Sequence, residues 1–245
     1  MQLFAYSRAY ALAGLALVWI TSNQAAANLL TNGSFETEPA TSQGGQGYYT
    51  QSITSSATTF TINGWTFGRL NGNNNGNPRF HWFSSTNRPG WTNLPQDGNW
   101  ALQLNSDNRN SRLFVEQTVA VTAGLEYELS FYFIDESAFS GADIGVTATI
   151  SGAPVTTINT DFTTSLNDTW VNETIRFTAN SSGDVTLRFT DLIPSSNVQQ
   201  NVILDNFSLT VVPEADTILS LIALGAVFAF FQVRRYFRKP AARIQ

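Results

Sequence analysis

The segment Leu113-Phe114-Val115-Glu116-Gln117-Thr118-Val119-Ala120 carries the clearest fold signal in this sequence. Its side chains alternate with a period of two, so the set that starts at Leu113 and the set that starts at Phe114 face opposite sides of an extended strand. The aromatic segment Tyr127–Phe133 follows as a second strand, and Ala123-Gly124 between them is typical of a turn. The sequence therefore predicts neighbouring β-strands at the centre of the chain.

The same strand pattern continues outward on both sides, and residues 28–213 show no helical periodicity. Turn signals such as Asn63-Gly64, Asp97-Gly98 and Ser181-Ser182-Gly183-Asp184 separate the segments. The Asn-rich stretch 71–78, the polar stretch 37–51 and the aromatic stretch 79–91 read as loops. About nine short strands predict an all-β domain over residues 28–212, a β-sandwich or jelly roll. The further predicted strands are Asn28–Phe35, Phe60–Phe67, Trp100–Leu104, Ile144–Ile150, Trp170–Thr178, Val185–Thr190 and Val202–Val211.

Composition excludes several kinds of site. The 245 residues include no cysteine and one histidine, His81, which excludes thiol nucleophiles, thiolate metal sites and sites that need two imidazoles. The net charge is −5, and residues 28–213 hold seven arginines, no lysine and sixteen acidic residues, a net charge of −9. This acidic balance argues against nucleic acid as a partner.

The N-terminal residues 1–27 predict a secretory signal peptide. Arg8 precedes an uncharged apolar run over residues 9–20, and Ala25-Ala26-Ala27 supplies small residues for cleavage. An uncleaved anchor helix is the alternative, but the run is short for a bilayer span of about 20 residues.

The C-terminal end predicts a transmembrane helix over residues 217–233. This uncharged run is followed by the basic segment 234–239, which includes Arg234 and Arg235. Positive residues favour the cytoplasmic side, so the body would lie outside the cytoplasm, as the signal peptide also requires. A buried core helix is the alternative, which the basic cluster disfavours.

Several motifs, in order, resemble carbohydrate-binding-module-like jelly rolls of the galactose-binding type. They are Asn28–Glu36, Asn63-Gly64-Trp65, Asp97–Leu104, Val115–Val119 with Gly124–Phe131, and Ile203–Leu209. The resemblance covers nearly all of residues 28–210. It implies a structural Ca²⁺ between the first and last strands, with Glu36 and Asp205 as carboxylate ligands. The alternative is that both side chains accept hydrogen bonds from turn amides.

Residues 213–245 resemble a PEP-CTERM sorting tail, which combines a short motif, a membrane helix and a basic end. The motif here is Pro213-Glu214-Ala215, with alanine in place of the usual second proline. The resemblance implies cleavage by an exosortase-type enzyme and release to the cell surface or exopolysaccharide. A plain membrane-anchored protein is the alternative.

Ligand binding is the function that the body favours. Trp82, Trp91, His81 and Arg79 combine flat rings with hydrogen-bonding groups, a combination suited to sugars. Core packing is the alternative for Trp82 and Trp91, and it is the expectation for Trp65 and Trp100. Paired carboxylates such as Glu126/Glu128 are more typical of a solvent face than of a glycosidase, so no catalytic residue is predicted.

The sequence thus predicts an exported, non-catalytic protein that binds glycan or matrix at the cell surface. The alternative is a membrane-anchored adhesin or structural protein without a sugar site.

Overall fold

The described residues of the body form twelve strands, and every pair of neighbouring strands among them is antiparallel. The computed structural model describes residues 27–37, 48–52, 59–70, 78–84, 95–106, 112–135, 144–164, 169–192, 200–213, 225–228 and 230–231. The strands are β1 (Tyr48–Ser52), β2 (Phe60–Ile62), β3 (Trp65–Arg69), β4 (Arg79–Ser84), β5 (Trp100–Ser106), β6 (Leu113–Val121), β7 (Glu126–Asp135), β8 (Ile144–Ser151), β9 (Ile158–Thr164), β10 (Val171–Thr178), β11 (Gly183–Leu192) and β12 (Gln200–Val211).

The strands are divided between two six-stranded sheets. The first sheet has the order β1-β4-β5-β12-β7-β10, and the second has the order β2-β3-β6-β11-β8-β9. Neighbours within each sheet are mostly distant in sequence, as in the crossing connections of jelly rolls. The described body is therefore all-β with two sheets, which is consistent with the predicted jelly-roll sandwich.

Alternation places one face of each sheet in a shared core. Along β6, Val115 and Val119 are buried while Thr118 and Ala120 are exposed. Aromatic rings from both sheets meet inside, since Phe189 of β11 lies 4.5 Å from Phe207 of β12 between ring centroids. Burial of this apolar surface, worth about 25 cal/mol per Å², is the main force that holds the sheets together.

Several sequence predictions need correction. The predicted loop over residues 37–51 ends in β1, and β9 has no counterpart among the predicted strands. Asn28–Phe35 is a turn rather than a strand, because Asn32 and Phe35 adopt positive φ angles of 52° and 54° that interrupt an extended chain. Phe60–Phe67 is split by the Asn63-Gly64 turn into the hairpin β2–β3. The supposed loop from Arg79 begins as β4, which pairs with both β1 and β5.

Residues 28–211 form one compact unit, and residues 1–27 with 212–245 form a second one. In the second unit, residues 225–228 and 230–231 are helical. Among the described residues, no helix has the length and apolar character needed to cross a membrane. The predicted signal peptide before Ala27 and most of the predicted span 217–233 lie outside the described residues.

Candidate functional site

The outer face of the second sheet, the face turned away from the core, carries ordered rows of polar side chains. Strand register places Glu116, Arg188, Thr149 and Asn159 in one row across β6, β11, β8 and β9. The neighbouring row contains Phe114, Thr190, Thr147 and Asp161 on the same four strands. Because side chains two residues apart on a strand share a face, these two rows form one surface.

This surface contains a groove of about 430 Å³. Its described lining includes five hydroxyl side chains, one amide, two arginines and one carboxylate. No aromatic residue is among the residues that line it. The lining residues are Leu70, Arg112, Glu116, Thr147, Thr149, Ser151, Asn159, Thr186, Arg188 and Thr190.

Arg188 lies at the centre of the groove and is held from two sides. Its Nε donates to Oε2 of Glu116 at 2.6 Å, and its guanidinium carbon lies 4.3 Å from the ring centroid of Phe114. Phe114 is itself seated over Gly68, where a Cβ would overlap the ring. The glycine, the ring and the guanidinium therefore form three layers that fix Arg188, whose side chain is still 35% exposed.

The threonines of the groove are also oriented by neighbours. Thr147 Oγ1 donates to Asp161 Oδ1 at 2.6 Å, and Thr149 Oγ1 donates to Asn159 Oδ1 at 2.7 Å. A hydroxyl that donates its proton retains lone pairs that can accept. The groove thus offers fixed acceptors beside the N–H donors of Arg188, which is a suitable set of partners for a ligand rich in hydroxyl groups.

Trp82 of the predicted aromatic ligand site is buried. Trp82 is 1% exposed and projects into the core, where its ring lies 4.7 Å from that of Phe67. A ring buried in this way cannot stack on a sugar at the surface. For Trp82, core packing, the alternative to ligand binding, is therefore what the structure shows. Trp65 is also buried, as expected, whereas Trp100 is only half-buried. Trp91 lies outside the described residues.

Arg79 and His81 face the other side of β4, on the outer face of the first sheet. Both are half-buried, and His81 Nε2 lies 3.5 Å from Asn105 Nδ2 on β5. They belong to the sheet opposite the groove, so the structure does not bring them together with Arg188. Their predicted role in ligand binding stays a prediction.

The two predicted calcium ligands converge on the turn before β5. Glu36 Oε1 accepts hydrogen bonds from the backbone N–H groups of Asn99 and Trp100, each at 2.8 Å. Asp205 Oδ2 accepts from the N–H groups of Gln96 and Asp97 at 2.8 and 3.0 Å. The hydrogen-bonding alternative is therefore observed, and it ties distant parts of the chain to one turn.

The electrostatics of this turn bear on the predicted calcium ion. Burial raises the pKa of Asp205 to about 7, although N–H groups of Asp97, Asn206 and Gln96 act to lower it and the Asp97 carboxylate adds to the rise. Oxygen donors with excess negative charge are the donor chemistry that Ca²⁺ takes. Among the described residues, however, no group of three or more His, Cys, Asp or Glu side chains could hold a metal. Backbone carbonyls would have to supply most of the ligands beyond Glu36 and Asp205.

The residues of the predicted sorting motif lie mostly outside the described part of the chain, and Glu128 of the paired carboxylates is described. Of the sorting motif, Pro213 is described and exposed, while Glu214, Ala215, Arg234 and Arg235 lie outside the described residues. Glu128 pairs with Arg176 at 2.6 Å on the outer face of the first sheet, as expected of a solvent-facing carboxylate.

The architecture defines the class of an all-β, two-sheet sandwich, and comparison with known proteins extends the description. No family model matches the chain, and no curated protein matches it. Solved carbohydrate-binding modules are similar in fold. One is TmCBM61 in complex with beta-1,4-galactotriose, at 16% identity over 76% of this chain and 99% of that one, with a TM-score of 0.46.

Two further solved structures are also carbohydrate-binding modules. The CBM22-1 xylan-binding domain of Paenibacillus barcinonensis Xyn10C has 15% identity over 78% of this chain and 98% of that one, with a TM-score of 0.41. A CBM4 structure has 21% identity over 46% and 84%, with a TM-score of 0.35.

Sequence reasoning did not find the groove. Its residues are single outward-facing positions on β6, β8, β9 and β11, and threonines at such positions are ordinary on a solvated sheet face. The one local signal is the placement of Glu116 and Arg188 within two alternating strands. Their meeting depends on strand register, which a single sequence does not display.

Proposed function

We propose that this protein binds a glycan, without catalysis, in the groove on the outer face of the second sheet. The observation that carries the proposal is the groove itself, a concave surface lined by oriented hydroxyl, amide and guanidinium groups. Sugars present many hydroxyls that both donate and accept, so a fixed polar lining matches their chemistry. The proposal puts the contact surface in the groove, whereas ligand contact by Trp91, His81 and Arg79 stays a prediction.

The absence of catalysis is supported by the carboxylates of the groove. A glycosidase of the common type needs two carboxyl groups about 5–10 Å apart across the scissile bond. Among the described residues that line the groove, Glu116 is the one carboxylate, and it is already paired with Arg188. Glu116 alone therefore cannot supply both the acid and the base or nucleophile.

A glycan array probed with the full chain in mild detergent tests the binding function. We expect one class of polysaccharide to bind, and we expect Thr149→Val to weaken that binding about two- to tenfold through loss of one hydrogen bond. The matched control is Thr174→Val, an exposed threonine on β10 of the other sheet. Silence across the array would instead favour the adhesin or structural role without a sugar site.

We also propose that the protein is exported, anchored in the membrane and then cleaved there, as the two ends of the sequence predict. Signal peptide 1–27 would be removed, and the tail from Pro213 would anchor the protein in the membrane and be cut by an exosortase-type enzyme. The exposed Val227, Phe228, Phe230 and Phe231 in the helical segment support a lipid-facing role for this tail. Mass spectrometry of the exported product tests both cleavages, since intact termini would contradict them.

A structural calcium ion near Glu36 and Asp205 remains part of the proposal. Bound there, it would link the N-terminal turn to β12 and would offset the negative charge of the buried Asp205. Such a link would stabilise an exported domain that lacks disulfides.

A further inference from the structure

We propose that the groove selects an acidic glycan, one whose sugar units carry carboxylates such as uronic acids, and that Arg188 determines this choice. The inference rests on the proposed glycan-binding function and names the ligand class of the same groove. It follows from the charge of the groove, from the position of Arg188 over Phe114 and from the absence of an aromatic side chain among the described residues that line the groove.

The charge of the groove contrasts with the charge of the body. Residues 28–213 carry a net charge of −9, yet the groove lining contains Arg112 and Arg188 against the single acid Glu116. Asp161 lies in the adjoining row on the edge strand β9, where its carboxylate is directed inward and accepts a hydrogen bond from Thr147 of the groove. Two of the seven arginines of the body are therefore concentrated where a ligand would lie, which favours an anionic group.

Arg188 is positioned to bind such a group. Its ion pair with Glu116 is made through Nε, and a guanidinium carries five N–H donors in a planar fork. The Nη groups can therefore point to a second acceptor while Nε remains paired. The ring of Phe114 on one side and Glu116 on the other restrict the guanidinium, so little side-chain entropy is lost when a carboxylate binds.

The same arrangement disfavours neutral sugars. Neutral glycans are commonly held by an exposed aromatic face, and the aromatic ring in contact with Arg188 is that of Phe114. Phe114 is 4% exposed, because Gly68 lies beneath it and Arg188 lies above it. Arg188 thus covers the stacking surface and offers a charge in its place.

The decisive experiment measures binding of the full chain to uronate-containing polysaccharides and to their carboxyl-reduced, neutral counterparts. The panel contains polygalacturonate, alginate and hyaluronate, each tested at low and high salt. We expect at least one acidic form to bind at least about tenfold more tightly than its neutral counterpart, with an affinity that falls as salt rises.

Variants of Arg188 assign the effect to this residue. We expect Arg188→Gln to lose at least about tenfold in affinity for the acidic form, and Arg188→Lys to recover part of it because the charge remains without the fork. Arg188→Ala should in addition uncover Phe114 and improve binding of a neutral form. The matched control is Arg176→Gln, which removes a similar arginine–glutamate pair on the other sheet and should leave binding unchanged.

Each contrary result has a defined meaning. Equal binding of the acidic and neutral forms, or wild-type affinity in a folded Arg188→Gln protein, would overturn the inference while leaving glycan binding intact. Binding to no polysaccharide of either kind would overturn the proposed function itself. Circular dichroism and thermal unfolding of each variant establish that it is folded before affinities are compared.

Discussion

The backbone N–H of Trp100 donates a 2.8 Å hydrogen bond to Oε1 of Glu36 and so joins the first residue of β5 to the N-terminal turn. Asn99 donates to the same oxygen, and Asp205 accepts from the two preceding N–H groups, those of Gln96 and Asp97. Four consecutive or nearly consecutive N–H groups of one turn are therefore satisfied by two carboxylates from opposite ends of the body. The turn before β5 therefore links the N-terminal turn of the body to β12.

Gly98 is the tightest position of that turn, and its replacement tests the arrangement. Gly98 has a φ of 64°, and a Cβ there would overlap the carboxyl of Glu36. Gly98→Ala should therefore lower the free energy of unfolding through backbone strain, about 1–2 kcal/mol, and through displacement of the Glu36 carboxyl from the N–H groups of Asn99 and Trp100. Gly124→Ala is the matched control, since its φ is 80° but nothing lies within 4 Å of the added Cβ. Urea unfolding should show a clearly larger loss for Gly98→Ala, and equal losses would show that the Glu36 contact is unimportant.

Calcium should stabilise the full chain if the ion binds beside Glu36 and Asp205. A ligand at a hundredfold its dissociation constant adds about 2.7 kcal/mol, and each kcal/mol shifts the Tm of a domain of this size by about 2–4 °C. We expect Tm to rise with CaCl₂ and to fall with chelator. Glu36→Gln should abolish this response because it removes a charged ligand while retaining an acceptor for the two amides.

Asp161→Asn, at the sheet edge near the groove, is the control that should keep the calcium response. If neither calcium nor chelator changes the Tm of the wild-type protein, the role of Glu36 and Asp205 is limited to their hydrogen bonds with the backbone amides.

Trp82 should behave as a core residue. Trp82→Phe removes ring volume beside Phe67 and should cost about 1–3 kcal/mol of unfolding free energy, while glycan affinity stays unchanged. Trp65→Phe is a suitable comparison, because Trp65 is equally buried and additionally donates from Nε1 to the carbonyl of Asn32 at 3.0 Å. If Trp82→Phe weakened binding without lowering stability, the ring would have to contact ligand after all.

Most strands from β5 onward could be predicted from their alternation between core and solvent, but β9, whose sequence is mostly polar, was not. β6 is the best example, since Val115 and Val119 enter the core while Thr118 stays exposed. β4 was not predicted because its aromatic residues Phe80, Trp82 and Phe83 are nearly consecutive and hide the period of two. In the structure, Phe80 and Trp82 are buried, whereas Arg79 and His81 are half-buried.

The N-terminal turn could not be predicted from side-chain pattern. Phe35 adopts a φ of 54°, which is rare for a bulky residue, and it is held there by packing against Trp65 and Phe207 at 5.5 and 5.7 Å between ring centroids. Tertiary packing therefore overrides the extended conformation that Asn28–Phe35 favours locally. The groove could not be predicted either, because it also depends on tertiary contacts. Glu116 and Arg188 are 72 residues apart in sequence and meet only through the register of β6 and β11.

Glu116 limits how strongly the groove can attract an acidic ligand. Its carboxylate repels an incoming carboxylate while it orients Arg188, so Glu116→Gln should strengthen binding of the acidic glycan about two- to tenfold at low salt. The gain should shrink at high salt, since screening weakens the repulsion that has been removed. The control is Glu128→Gln, which neutralises the partner of Arg176 on the other sheet and should leave affinity unchanged. A loss of affinity in Glu116→Gln, measured by isothermal titration calorimetry on folded protein, would mean that orientation of Arg188 by Glu116 outweighs their opposed charges.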